Sequence, residues 1–578
     1  MHGHGYYYRV TPADLSQAIS DLLAAALPTA TASATTAAPA TTAFVLQLTA
    51  DQLPDQIHLE RPRGAVQADW ASNVALQLAK TAQVKPRDLA EYLAAGLAKV
   101  PGISQVTVAG PGFINITLDK AAAGQLVHHI LDQAEHYGRT LTNSGKHVNV
   151  EFVSANPTGP IHLGGARWAA VGDAIAALFE ATGATATREY YVNDHGVQID
   201  HFAASLLATT RGQAVPENGY GGAYIAEIAA AVQQQSESAG LDLTDAEQAK
   251  SFFRETGMAL MLQEIKQSLE AFGTVFDVWT SERQLHHQGL VTQALDQLKA
   301  AGSLYQLDGA WWLRSTDFGD DKDRVVIKSD GTPAYIAADI AYLRDKLRRG
   351  ADLAVYLLGA DHHGYIARLK AAAAALGEDP AKVEVQIGQL VSLVKDGQPV
   401  KMSKRAGTVV TMDDLVEAVG VDAARYAIAR SSVDSPLTID LGLWTSHSND
   451  NPVYYVQYAH ARTVNVLTNA TNAQVSCDDG WNPALLDHPT EAALLGQLAE
   501  LPRVINQACE LRQPHRVARY LEEVAAVYHK WYDACRVIPL GDQPITDQHR
   551  SRLALNCAAG QVLRNGLGLL GVSAPERM

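Results

Sequence analysis

The apolar positions of residues 1–120 change period several times. Between Pro12 and Ala26, Leu15, Ala18, Ile19, Leu22 and Leu23 recur at helical spacing and predict one amphipathic helix. Residues 28–42 are almost entirely Ala, Thr, Ser and Pro, offer little to bury, and read as a surface loop or linker. Phe44–Leu48 and Ile57–Leu59 then look like short strands, and Ala71–Ala82 and Pro86–Lys99 like helices. Val106–Val108 and Phe113–Ile116 alternate like a hairpin across Ala109–Gly112. Together these segments predict an α+β domain over 1–120.

From His147 onward, strand-like runs at His147–Val153, Arg188–Val192, Ala354–Leu358 and Gln386–Val394 alternate with helical stretches such as Ala169–Ala181. That order predicts an α/β domain over 121–445, a parallel sheet wrapped by helices with insertions, which binds its ligands beyond the C-terminal ends of its strands. Past residue 445 the pattern becomes helical at Asn451–Leu467, Glu491–Gln507, His515–Cys535 and Arg550–Leu570, and predicts an all-α domain over 446–578.

Composition changes this picture little. A chain of 578 residues exceeds the usual size of one core. Its 47% hydrophobic and 19% charged residues suit an ordinary folded protein. There is no long uncharged apolar run and no secretory leader pattern, so no membrane association and a cytoplasmic location are expected. Cys477, Cys509, Cys535 and Cys557 never approach a Cys-x-x-Cys spacing; they read as thiols packed between helices, with no disulfide framework and no structural metal. A net charge of −16 opposes binding of a polyanion by the whole surface, yet a local basic groove would suffice for nucleic acid.

Two motifs carry candidate chemistry. Glu151 to Gly165, reading EFVSANPTGPIHLGG, runs from a strand through a Pro/Gly loop into a helix. Gly164 and Gly165 let a nucleotide approach the backbone, the helix N-terminus points amides at phosphate, and His162 is a candidate donor to a phosphate oxygen. Taken alone, His-Leu-Gly-Gly also fits a loop whose histidine merely caps a helix. Far downstream, Lys401-Met402-Ser403-Lys404-Arg405 places three cations beside Gly407 and suits a clamp on a pyrophosphate leaving group, where a solvated basic loop is the plainer alternative.

The two motifs, in this order, resemble the class I aminoacyl-tRNA synthetases. The wider match is to the bacterial arginyl-tRNA synthetase family: SANPTGPIH, Arg188–Gly196 (REYYVNDHG), Gly359–Tyr365 (GADHHGY), Asn451–Arg462 (NPVYYVQYAHAR) and Ala574–Met578 (APERM) all look like that family. The resemblance runs from about residue 60 to the end. It implies a Rossmann-like catalytic domain between an N-terminal domain that touches the tRNA elbow and a helical anticodon-binding domain. It also implies a monomer with no obligatory protein partner, whose substrates are L-arginine, ATP with Mg2+ and tRNA(Arg).

Site residues follow from that resemblance. ATP would lie on His162, Gly164, Gly165, Gly359, Asp361, His362 and the loop Lys401, Met402, Ser403 and Lys404, with Lys401 and Lys404 neutralising phosphate charge. Arginine would be read by Tyr335 and Asp339, four residues apart and on one face if their segment is helical, since a carboxylate meets a guanidinium in a bidentate pair. Without the resemblance they read as a partly buried aromatic and a surface charge. Asn156, Asp194, Gln198 and His363 match positions placed near arginine. His362 and His363 could be taken for a metal pair, but adjacent histidines in a turn diverge and no ligand cluster accompanies them. Tyr454, Tyr455 and Tyr458 are candidates to stack on tRNA bases, or else core aromatics.

The chain departs from the family at one point. Where the signature usually reads His-x-Gly-His, Gly165 replaces the second histidine and removes a donor, which Lys404 or a nearby group would have to replace. A smaller-substrate adenylyltransferase and a non-catalytic tRNA-binding relative are the competing readings. The extra terminal domains oppose the first, and the intact lysine loop opposes the second.

Overall fold

The computed structural model describes residues 12–28, 46–54, 57–60, 62, 68–241, 245–400, 410–477, 480–541 and 543–578. Most of the Ala/Thr stretch and the Lys401–Lys404 loop lie outside them. Among the described residues no helix is long and apolar enough to cross a membrane.

The N-terminal unit contains α1 (Pro12–Ala25), β1 (Trp70–Ser72), α2 (Val74–Leu78), α3 (Pro86–Leu97), β2 (Ile103–Ala109) and β3 (Phe113–Leu118). Its antiparallel sheet has the order β1-β3-β2, and Leu15, Ile19 and Leu23 of α1 are buried against Leu89, Leu93 and Leu97 of α3. Of the strand expected at Phe44–Leu48 only 46–48 lie within the described residues, and neither these nor Ile57–Leu59 form a strand. Leu46, Leu48, Ile57 and Leu59 are buried without regular structure, and Glu60 bridges to Ala71, so among the described residues their apolar character marks burial rather than strand pairing. The helix expected over 71–82 forms only as α2, Val74–Leu78. Trp70–Ser72 pair with Ile116–Ile114 as a strand, and tertiary pairing overrides local helix preference.

The central unit follows with α4 (Lys120–Gln133), β4 (His147–Glu151), α5 (Leu163–Ala181), β5 (Thr185–Val192), α6 (Val197–Thr210), α7 (Ala223–Ser238), α8 (Ala246–Ala271), β6 (Val278–Ser281), α9 (Glu282–His287) and α10 (Leu290–Ala300). A small antiparallel sheet comes next, of β7 (Leu304–Leu307), β8 (Ala310–Leu313) and β9 (Arg324–Ile327). Then come α11 (Tyr335–Arg348), β10 (Leu353–Gly359), α12 (Tyr365–Ala375), β11 (Val383–Gly388), β12 (Val391–Lys395), β13 (Gln398–Val400), α13 (Met412–Val419), α14 (Val421–Ala429), β14 (Leu437–Asp440) and α15 (Leu441–Thr445).

Five strands form a wholly parallel sheet, β11-β10-β4-β5-β6, the Rossmann-like order expected. The single strand expected over Gln386–Val394 is two. The Gln389 amide donates to Val433 O at 2.9 Å and its carbonyl accepts from Arg167 at 2.7 Å. With both backbone groups turned away from β10, the chain leaves the large sheet and continues as β12 in the sheet β13-β12-β14. The short β6 and the β7–β9 sheet were not anticipated.

The C-terminal helices are α16 (Pro452–Asn472), α17 (Pro489–Ala499), α18 (Leu501–Glu510), α19 (His515–Ala534) and α20 (Asp547–Leu569). The helix expected over Glu491–Gln507 is divided at Glu500, just before Pro502, which has no amide to donate and sits in the first turn of α18. These helices share one core with the central unit, because α4 and the turn after it dock on them. Tyr137 Oη donates to Leu498 O at 2.9 Å, and Asn565 Nδ2 donates to Ala134 O and Tyr137 O at 2.9 and 3.0 Å. Cys509 and Cys535 are buried and Cys477 and Cys557 half-buried in this region.

Candidate active site

In the parallel sheet β4 has β5 on one side and β10 on the other, so the loops leaving β4 and β10 diverge and open a crevice at the strands' C-terminal ends. A cavity of about 1260 Å³ lies there, lined among others by Asn156, His162, Gly164, Gly359, His362 and Leu390.

The end of the cavity at α5 is built from backbone. His162 is the N-cap of α5, and its Nδ1 accepts from the Gly165 amide at 3.2 Å. That bond fixes the tautomer in which Nε2 carries the proton and can donate. The protein around the ring lowers its pKa, which favours this neutral form. A Cβ on Gly164 would sit 2.9 Å from His162 Cε1, and one on Gly165 would sit 2.7 Å from Ile161 Cγ2. Both positions therefore suit glycine in this packing.

Arg167, one turn further along α5 and 1% exposed, donates to Gln389 O, Ser432 O and Ser435 O at 2.7, 2.7 and 3.0 Å. It fastens α5 to the segments around β12. The chain on either side of 401–409 returns to the same place, since Val400 and Val410 line the cavity, Leu163 N donates to Val410 O and Met412 N donates to Ile161 O. The signature loop and the flanks of the lysine loop are thus hydrogen-bonded neighbours, although Lys401, Met402, Ser403 and Lys404 themselves lie outside the described residues.

Beyond Asn156 the character changes to acidic. Asn156 Nδ2 donates to Gln198 Oε1 at 2.5 Å, and the Asn193 amide, turned to donate, reaches Glu282 Oε2 at 2.6 Å. Asp194, 5% exposed, accepts from Ser281 Oγ at 2.6 Å and from the Arg283 amide at 2.9 Å. Its carboxylate is committed to the start of α9, and it sets Glu282, the first residue of that helix. Burial, with the charge of Asp194, pushes Glu282 up to about 7. Asp339 on α11 is likewise pushed up to about 7 by burial, with Glu282 and Glu151 adding to the rise and Arg368 alone opposing it. Among the described residues no arginine or lysine forms an ion pair with either carboxylate. Two carboxyls raised in this way mark a place that a cation would relieve.

The segment of Tyr335 and Asp339 is helical, as anticipated. Tyr335, at its first turn, is 77% exposed, whereas Asp339 is half-buried. Gly359 and His362 line the cavity, and His362 packs edge-on against Tyr365 at 5.1 Å. Nothing is described of the Asp361 side chain, and His363 is exposed outside the cavity lining. Tyr454, Tyr455 and Tyr458 are all half-buried on α16. Tyr454 stacks between His447 and Tyr458, at 5.6 and 6.0 Å, and Tyr458 accepts from Arg462 at 2.8 Å. Sequence reasoning missed Glu282, Glu151 and Arg167 as site-building residues. One signal for Glu282 was available: Ser281 followed three residues later by Gln284 is a helix-start pattern, which would have placed Glu282 in a first turn.

Family models match along most of the chain. They are the arginyl tRNA synthetase N terminal domain at 13–118, the catalytic domain of class I tRNA synthetases (R) at 126–440, and the DALR anticodon binding domain at 456–578. The chain is 56% identical to the arginine–tRNA ligase of Kineococcus radiotolerans over 98% of its own length and 100% of that protein's. Among solved structures it is similar to a putative arginyl-tRNA synthetase from Campylobacter jejuni (34% identity, TM-score 0.72, covering 80% of this chain and 100% of that one). It shares its fold with the Thermus thermophilus arginyl-tRNA synthetase (21% identity, TM-score 0.72, covering 98% and 99%). With the relative matched end to end and the catalytic model spanning more than half of the chain, this chain belongs to the arginyl-tRNA synthetase family of class I aminoacyl-tRNA synthetases.

Proposed function

We propose that the chain is an arginine–tRNA ligase. It activates L-arginine with ATP to arginyl-adenylate and passes the arginyl group to the 3′-terminal ribose of tRNA(Arg). In the first step a carboxylate oxygen of arginine attacks the α-phosphorus and the bond to pyrophosphate breaks. In the second a ribose hydroxyl attacks the activated carbonyl, loses its proton, and AMP leaves. ATP enters as its magnesium complex, a substrate. The chemistry calls for positioning and charge neutralisation more than for a protein nucleophile.

One observation carries the amino-acid assignment: Asp339 and Glu282 are raised carboxyls with no ion-pair partner among the described residues, the Arg368 charge offsetting only part of the rise at Asp339, and Glu282 is joined to Asn156 through Asn193. A guanidinium between these carboxylates is always charged and donates in a planar fork, so it fits where a neutral side chain would leave buried charge uncompensated. On this reading Asn156, held by Gln198, orients the amino acid toward the phosphate. Tyr335 covers the pocket mouth, Asp194 acts by holding α9, and His363 is left near the entrance. The amide of Gly164 and Nε2 of His162 face the phosphates across the close backbone approach that Gly165 allows, Gly359, Asp361 and His362 the ribose, and the loop Lys401–Lys404 closes over the pyrophosphate. Residues 1–120 serve the tRNA elbow and 446–578 the anticodon, with Tyr454, Tyr455 and Tyr458 as candidate stacking partners. The enzyme acts in the cytoplasm as a monomer, which light scattering of the purified protein tests.

The test is ATP–pyrophosphate exchange with each amino acid, with and without tRNA. Exchange with arginine, dependent on tRNA, is expected; exchange driven by another amino acid contradicts the assignment.

A further inference from the structure

Below the acidic pocket lies a charge that catalysis does not use. Lys346, seven residues after Asp339 on α11, is fully buried. A buried ammonium persists only when it is paired. Its Nζ is 2.5 Å from Glu151 Oε2 and stands over the rings of Tyr342 and Tyr356, at 4.3 and 3.9 Å. Glu151 ends β4, and its second oxygen accepts from Ser154 Oγ at 3.1 Å, while Ser154 Oγ accepts from the Tyr191 amide at 3.1 Å. Ser154 belongs to a strained turn: Val153 and Ser154 have φ of 67° and 43°, and a β-branched residue is rarely found there. That turn leads directly into Asn156.

We propose that Lys346 is a positioning residue for arginine recognition. It holds Glu151, and through Ser154 the left-handed turn that presents Asn156, and it cancels the Glu151 charge so that the guanidinium is shared by Asp339 and Glu282. The inference rests on the reading of those two carboxylates as the partners of the guanidinium. Its geometry is independent of that reading, because Asp339, Tyr342 and Lys346 fall at i, i+3 and i+7 on one face of α11 and join the pocket to the turn. The charges acting on Asp339 are those of Glu282 on α9, Glu151 on β4 and Arg368 on α12, and Asp339 in turn raises the neighbouring phenols Tyr191 on β5, Tyr356 on β10 and Tyr365 on α12. Glu189 on β5 is paired with Arg349 at 2.8 Å and is also held low by the charge of Lys346, so Lys346 serves two carboxylates. Removing the charge of Lys346 leaves Glu151 to act undiminished on Asp339 and makes Asp339 harder to ionise.

The experiment uses the full chain with tRNA, arginine and ATP, and compares Lys346→Met, Ser154→Ala, the double variant Lys346→Met/Glu151→Gln, and Asp339→Asn. Lys346→Met is expected to raise the arginine KM about tenfold or more, with the ATP KM moving less than about twofold. It should also move the acid limb of kcat/KM for arginine to higher pH, and the double variant should return that limb to its original position. Equal rises in both KM values with an unmoved pH profile would overturn the inference and leave Lys346 merely structural. Should circular dichroism show that Lys346→Met does not fold, Ser154→Ala decides. It should raise the arginine KM about threefold with no shift of the acid limb, and an unchanged KM overturns the role of the turn. An unchanged arginine KM in Asp339→Asn overturns the pocket reading and this inference with it. A normal Asp339 effect beside an arginine-neutral Lys346→Met overturns this inference alone.

Discussion

The cavity at the start of α5 and the cluster of carboxyls beyond Asn156 work by different means. At the α5 end the partners are backbone amides, two glycines and one neutral histidine, fixed by a helix start and by a guanidinium, Arg167, spent on three carbonyls. In the acidic cluster side-chain carboxyls are crowded together, and burial raises Asp339 and Glu282 to about 7. On the proposed reading the first recognises a nucleotide by shape and by dipoles that cost nothing to reorganise. The second holds carboxyls whose ionisation is unfavourable until a proton or a bound cation offsets it. An enzyme of this kind keeps its common substrate in the rigid part and its specificity in the electrostatically tense part.

The largest effect should separate the two ends outright. Asp339→Asn is expected to lower kcat/KM for arginine by about 10²–10³-fold while leaving the ATP KM within about twofold, read from exchange kinetics, because it leaves one side of a buried charge pair without its partner. Next comes the rigid end. Gly165→His would restore the usual second histidine of the signature, yet its Cβ would meet Ile161 Cγ2 at 2.7 Å. It should give no gain in kcat and a loss of stability of about 1–3 kcal/mol, visible as a lower Tm.

The third expectation concerns pH. A guanidinium needs Asp339 and Glu282 ionised, and binding pulls their pKa values down from about 7. Arginine affinity should therefore rise with pH, by about tenfold per unit at most for each proton displaced, and level off above about 7. The ATP KM measured alongside should show no such limb. The smallest effect is that of Asp194→Asn. Since the Asp194 charge helps to raise Glu282, its removal should move the acid limb to lower pH and change the arginine KM by less than about threefold, in the same titration.

The contrast also explains what the sequence discloses. Residues of the rigid end are contiguous, because a strand, a loop and a helix start follow one another in the chain, so the strand-to-helix loop holding His162, Gly164 and Gly165 was legible, while its assignment to ATP rested on the family resemblance. The acidic end is assembled from β4, α9 and α11, which lie far apart in sequence, and no local pattern links Glu151, Glu282 and Asp339. Asp339 came from family resemblance, and Asp194 was recognised without its task of holding α9. The parallel sheet was legible in its apolar runs. The break at Gln389 was not, because it depends on hydrogen bonds to Arg167 and Val433, more than two hundred residues before and some forty after it.

The most direct test of charge-based selection is the competition between arginine and citrulline, its neutral isostere, in tRNA-dependent ATP–pyrophosphate exchange, for the wild type and for Asp339→Asn. The wild type should favour arginine by a factor of about 10³ or more, and Asp339→Asn should shrink that ratio about a hundredfold by losing arginine alone. Comparable exchange with citrulline in the wild type, or an undiminished ratio in the variant, would contradict selection by the carboxylates.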